Sequence, residues 1–332
     1  MFAKMGAEVL NLNIRVSTNI CGLSNSCASI FLTSQIPKPL AGIRPNRVDE
    51  SIINEMKKRF LKFVLLIFMF FSYTAQGQIN YGSNKGKFIT INETKIYYEE
   101  YGKGLPLLML HGGLGDISDF EKVIPNLSKK FRVIIPDAPG LGRSEYADSL
   151  LSYQLLADYT SKFIDELKID SLYLIGWSDG ANTALILAKN KSEKVKKLII
   201  SGANYKLNGF SNEALEECKK VADTSYVKEE MQSWIKHYQK LSTKDWKRYI
   251  SEVGQMWFTE EYFPKSDLEA IKIPTLIIYG DRDMYTLEHG IEIKNAILNS
   301  QFCVIPNCSH MVFREKPKLF TKLAQIFLNE KN

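Results

Sequence analysis

Beyond Lys87 the chain alternates short β-rich runs with helix-patterned stretches, and that alternation restricts its fold more than any other feature. Runs at 88–91 and 96–101 flank Asn92-Glu93-Thr94, which reads as the turn of a hairpin. Further runs follow at 105–110, 131–136, 171–175, 197–200, 275–279 and 302–305, and the later ones are apolar on both faces. A strand buried on both faces belongs to a parallel sheet covered by helices. Amphipathic stretches at 120–127, 155–167, 181–189, 291–298 and 319–328 supply those helices. The expected fold is α/β: an eight-stranded, mostly parallel sheet with an antiparallel start and helices on both faces. From about 204 to 270 the strand rhythm stops, and helical patterns carry many aromatics, among them Trp234, Trp246 and Trp257. This insertion is expected to form a helical cap.

The 332 residues are 45% hydrophobic, enough for a packed core, and the formal net charge is +6. The charge is unevenly placed. Residues 1–77 hold 9 Lys/Arg and 4 Asp/Glu, so the remainder is near neutral at +1. Nucleic acid is therefore not an expected partner. Met56-Lys57-Lys58-Arg59, an apolar run at 63–71, and small residues at Ala75 and Gly77 have the layout of a secretory signal peptide over 56–77. Export to a periplasmic or extracellular location is expected, with membrane anchoring if the segment stays uncleaved. Because a signal peptide opens a chain, residues 1–55 are expected to be a non-native or disordered extension, with translation starting at Met56. Cys218, Cys303 and Cys308 form no CxxC and no zinc-like spacing, so neither a metal nor a disulfide framework is implied.

Gly176-Trp177-Ser178-Asp179-Gly180 lies between a strand run and a helical stretch. That is the setting of a G-x-S-x-G nucleophile elbow, in which Ser178 sits on a tight turn and the glycines relieve crowding. A plain strand-to-helix turn would instead use the serine only as a cap. His111-Gly112-Gly113 ends the run at 105–110, where an oxyanion hole takes a backbone donor. The expected donors are the N–H of Gly113, with Leu114 as the alternative, and the N–H of Asp179. His111 itself fits a structural role. Of four histidines, His111 precedes the serine, His237 lies in the cap and His289 in a helical stretch. His310, after the last strand run, is the expected base because the fold orders serine, acid, histidine. Gly280-Asp281-Arg282-Asp283 follows the preceding strand run and offers Asp281 and Asp283 as the acid.

Together with Asp137-Ala138-Pro139-Gly140-Leu141-Gly142-Arg143-Ser144, these motifs resemble the α/β-hydrolase superfamily from about 87 to the end of the chain. Within it, Leu174 to Gly180 and Ser201-Gly202-Ala203-Asn204 are similar to the valacyclovir-hydrolase group and its bacterial relatives, which hydrolyse amino-acid esters. The resemblance implies Asp283 as the acid, by the family's G-x-x-D pattern, and a triad of Ser178, Asp283 and His310. It implies cleavage of a small carboxylic ester through an acyl-enzyme, with no cofactor. The aromatic cap suggests a small-molecule substrate with an apolar or aromatic part. A C–C hydrolase, enol-lactonase, perhydrolase or aminopeptidase would use the same triad, and a non-catalytic binding protein is the remaining alternative. Homo-oligomerisation is left open by the sequence.

Overall fold

The computed structural model describes residues 86–330, apart from 243 and 260. The expected signal peptide at 56–77 and the extension at 1–55 lie outside the described residues. Among the described residues no helix is long and apolar enough to cross a membrane.

Eight strands form one sheet: β1 (Lys87–Ile91), β2 (Thr94–Tyr101), β3 (Leu105–Leu110), β4 (Phe131–Pro136), β5 (Leu172–Trp177), β6 (Val195–Ser201), β7 (Thr275–Arg282) and β8 (Ser300–Ser309). Their spatial order is β1-β2-β4-β3-β5-β6-β7-β8. The β1–β2 and β2–β4 pairs are antiparallel and the others parallel, as expected from the sequence. The hairpin turn is shorter than expected. Thr94 already pairs with Ile91, so Asn92 and Glu93 alone make the turn, with φ of 47° and 66°. Two consecutive positive-φ residues are what a type I′ turn needs to match the strand twist.

Helices cover both faces. They are α1 (Ile124–Leu127), α2 (Tyr153–Glu166), α3 (Asp179–Asn190), α4 (Asn212–Val221), α5 (Thr224–Glu230), α6 (Gln232–Leu241), α7 (Trp246–Trp257), α8 (Lys265–Ala270), α9 (Leu287–Ala296), α10 (Val312–Glu315) and α11 (Pro317–Asn329). Strand alternation divides the core between them. Leu174 of β5 packs in one cluster with Phe163 of α2 and Leu185 of α3, whereas its neighbour Ile175 packs in the other with Phe320 and Phe327 of α11. Both β5 residues are fully buried, each worth about 1.5–3 kcal/mol of transfer free energy. Local chemistry sets the helix starts. Ser152 accepts the Leu155 N–H at 3.1 Å to cap α2, and Asp245 accepts the Lys247 N–H at 3.0 Å to cap α7.

Helices α4 to α8 all lie between β6 and β7, in the stretch without strand signal. The segment is tied to the loops after β3 and β4 by polar contacts. Tyr238 donates its hydroxyl to the Gly140 carbonyl at 2.8 Å, and the Lys244 ammonium donates to the carbonyls of Leu141, Gly142 and Ser144.

Candidate active site

Ser178 stands between the end of β5 and the start of α3, with φ 54° and ψ −122°. A non-glycine residue in that conformation is strained by about 1–3 kcal/mol, which the surrounding structure must hold. The flanking glycines are required by close approach. A Cβ at Gly176 would collide with the Gly180 carbonyl and lie 2.6 Å from Ala181 Cα, and one at Gly180 would lie 2.5 Å from the His111 carbonyl. Sheet pairing carries the turn onward, because the Ser178 N–H donates to Ser201 O at 3.0 Å.

His310 follows β8, and its Nδ1 lies 2.8 Å from Asp283 Oδ1. The Asp283 side chain is fully buried and its oxygens also face the N–H groups of Gly280 and Tyr285 at 3.3 and 3.4 Å. A carboxylate only accepts, so Nδ1 carries the proton and Nε2 is left as the acceptor. Nε2 is buried and has no hydrogen-bond partner among the described residues. Two aromatic residues, Tyr285 and Trp177, flank the imidazole. Tyr285 meets it edge-on at 5.4 Å, the Trp177 ring lies 5.5 Å away, and the Trp177 indole N–H donates to the His310 carbonyl at 3.1 Å. Gly202, one residue beyond the carbonyl that anchors Ser178, abuts the same ring. Ser178, Asp283 and His310 thus each follow the C-terminal end of a parallel strand, β5, β7 and β8.

The two aspartates of Gly280 to Asp283 have separate tasks. Asp281 accepts the Asn307 and Cys308 N–H groups, each at 2.9 Å, and lies 3.8 Å from Arg282. These donors hold its carboxyl below the usual range. It fixes the loop that presents His310, while Asp283 meets the ring.

His111 is buried, with Nδ1 2.9 Å from Gly112 O and Nε2 accepting the Ala138 N–H at 3.0 Å, so both ring nitrogens serve backbone. His289 is also buried, which lowers its pKa to about 4, and its Nε2 accepts the Tyr205 N–H. Glu216 and Glu217 are exposed and pair with Lys219 and Lys220 on their own helix. Among the described residues no three His, Cys, Asp or Glu side chains are grouped to hold a metal ion.

Asp179, the first residue of α3, has an N–H with no helical acceptor behind it. Its side chain is buried and lies against Gly113, where a Cβ would collide with Asp179 and sit 2.8 Å from Trp257 Cζ2. Tyr153 donates to Asp179 Oδ1 at 2.8 Å, and the Trp257 indole N–H approaches both oxygens at 3.1 and 2.9 Å. Burial pushes the carboxyl pKa up, with the two donors opposing it. Sequence reasoning did not find Tyr153 or Trp257 as partners of Asp179, since nothing local links residues 26 and 78 positions away.

A family model described as the alpha/beta hydrolase fold matches residues 106–317. The 2-hydroxy-6-oxo-6-phenylhexa-2,4-dienoate hydrolase of Burkholderia cepacia is 27% identical over 281 residues, 74% of this chain and 97% of the relative. Human serine hydrolase BPHL is 25% identical, over 72% of this chain and 85% of its own. Among solved structures, the enol-lactonase from Burkholderia xenovorans LB400 matches 74% of this chain and all of its own, with a TM-score of 0.59 at 22% identity.

Proposed function

The chain belongs to the α/β-hydrolase fold family, and from that premise we propose that it is a serine hydrolase cleaving a small carboxylic ester through an acyl-enzyme. One observation carries the reading: His310 is held by Asp283 at 2.8 Å while its Nε2 is buried and unpartnered beside the elbow that bears Ser178. In this reading Nε2 takes the Ser178 proton as Oγ attacks the ester carbonyl. Asp283 keeps the tautomer and stabilises the imidazolium. The oxyanion faces the N–H groups of Gly113 and Asp179, each worth about 10²–10³ in rate. Leu114 is the alternative donor from that loop. His310 then protonates the departing alcohol, and water activated by the same nitrogen releases the acid.

A C–C hydrolase is the second reading, because several relatives are named for cleavage of dienoate or dienedioate products. Asp179 weighs against it. A carboxylate-bearing substrate would meet a buried acid beside Ser178, and among the described residues no Lys or Arg forms an ion pair with that acid. Export is part of the same reading, with cleavage after Gly77; a natural protein whose N-terminus precedes Met56 would refute it.

The test uses residues 78–332 against p-nitrophenyl esters of graded acyl length, a 2-hydroxy-6-oxo dienoate, and a fluorophosphonate probe, with Ser178→Ala as the control. Ester turnover lost by several orders of magnitude in the variant supports the reading. Turnover of the dienoate alone moves the assignment to C–C hydrolysis, and no labelling of Ser178 sinks both.

A further inference from the structure

The loop that follows β3, residues 111–116, carries three glycines, Gly112, Gly113 and Gly115. Such a sequence has little rigidity of its own, so the direction of each peptide plane must be set from outside. The structure fixes two of these planes, Gly112–Gly113 and Leu114–Gly115. Gly112 O faces His111 Nδ1 at 2.9 Å and accepts the Gly115 N–H at 3.3 Å, which points the N–H of the same plane, that of Gly113, the opposite way. The Leu114 carbonyl accepts the Trp234 indole N–H of α6 at 2.7 Å. Leu114 itself is held at φ 60°, where a branched side chain is rare.

The far end of the loop is held by the same helix. Trp234 and His237 are three residues apart and share a face of α6. His237 Nε2 lies 2.5 Å from Asp116 Oδ2, and Asp116 Oδ1 accepts the Ser118 N–H at 2.7 Å to cap the turn Ile117–Phe120. One helix of the insertion thus grips the loop on either side of Gly115.

The geometry points to α6 as the element that positions the oxyanion loop, with Trp234 and His237 as positioning residues for the Gly113 N–H. This rests on the reading of Gly113 as an oxyanion donor. Neither side chain need touch the substrate. Trp234 packs against the rings of Tyr238 and Tyr249 at 5.1 and 6.5 Å, contacts that a phenylalanine would largely keep. Trp234→Phe removes the N–H donor and one ring of the indole.

The experiment compares the wild type, Trp234→Phe, His237→Gln and His237→Ala by ester kinetics and by hydrogen exchange of peptides spanning 111–118. Trp234→Phe is expected to lower kcat about 10- to 100-fold with KM within about twofold, the signature of a misplaced donor rather than weakened binding. Exchange in the loop should rise. His237→Gln, which keeps a donor within reach of Asp116, should retain most of the kcat that His237→Ala loses. Unchanged exchange in both Trp234→Phe and His237→Ala overturns the proposal. So does faster exchange with a wild-type kcat. If the wild type turns over no ester, the rate of fluorophosphonate labelling at Ser178 replaces kcat, with the same tenfold criterion. A wild type that is not labelled at all refutes the parent reading, and the loop's role in catalysis with it.

Discussion

Gly202 and His310 stand so close that a methyl group at position 202 would lie 2.5 Å from the ring carbon Cε1 and 3.5 Å from Asp283 Oδ2. The glycine also has φ +55°, a conformation in which alanine is strained. Gly202→Ala should therefore push the imidazole off Asp283 and destabilise the fold together. The expected result is a loss of at least about 100-fold in kcat/KM, with a lower thermal midpoint. Kinetics within threefold of the wild type would mean that the ring does not need its present seat.

Asp283 and Asp281 provide a paired test. Asp283→Asn should lower kcat by about 10⁴, since an amide favours the wrong imidazole tautomer. Asp281→Asn removes one of two acceptors for the Asn307 and Cys308 N–H groups and should cost about 1 kcal/mol of stability. Its kcat should stay within a few-fold of the wild type. Steady-state kinetics with urea melts of both variants separate the two tasks, and an exchange of the two phenotypes would reverse the assignment of the acid.

Ser178 at φ 54° carries backbone strain that a glycine would not. Ser178→Gly should thus be more stable than Ser178→Ala by about 1 kcal/mol, the strain relieved being partly offset by the greater freedom of glycine in the unfolded chain. Both variants should be inactive. Equal urea midpoints would show the elbow to be unstrained.

The Asp116–His237 contact predicts a window of pH. For Asp116, burial alone would raise the pKa, but the His237 and Ser118 donors outweigh it and bring the value down to about 2. Its contribution is complete above the ordinary 3.8 and is lost as pH falls towards 2. The Asp116 hydrogen bond raises the His237 pKa above its ordinary 6.5, so that contribution is complete below 6.5 and fades as pH rises through the raised value. The stability difference between wild type and His237→Gln should be widest between 3.8 and 6.5 and shrink on both sides. Because half of the His237 side chain is exposed, the difference should be small and should weaken with salt. A difference flat across pH would remove the ion pair from the account.

The fold was legible because its signals are local. Runs such as Leu172 to Ile175 are apolar on both faces, and one strand-turn-helix motif locates Ser178. His310 was within reach because only four histidines had to be sorted. The Asp281/Asp283 choice was open to the residues alone, and it needed a family pattern first and then the 2.8 Å contact to Nδ1. The partners of Asp179 and of the oxyanion loop could not be read. Trp234, His237, Tyr153 and Trp257 reach the site through tertiary packing, and aromatics in a helical insertion look the same in sequence whether they fill a core or donate an N–H. Ser201-Gly202-Ala203-Asn204 stood out in the sequence only as a family resemblance, and the structure adds that its glycine makes room for the imidazole.

By connectivity, the insertion between β6 and β7 is an exchangeable part, attached at two neighbouring points and outside the chain segments that carry Ser178, Asp283 and His310. Its hydrogen bonds to Leu114, Asp116, Gly140 and Asp179 make the exchange conditional. A cap transplanted from a relative would have to bring its own donors to the same four places, or the recipient would inherit a new substrate cavity over a floor that no longer holds its shape. Swapping specificity in this chain is therefore a problem of matching the seam before shaping the pocket.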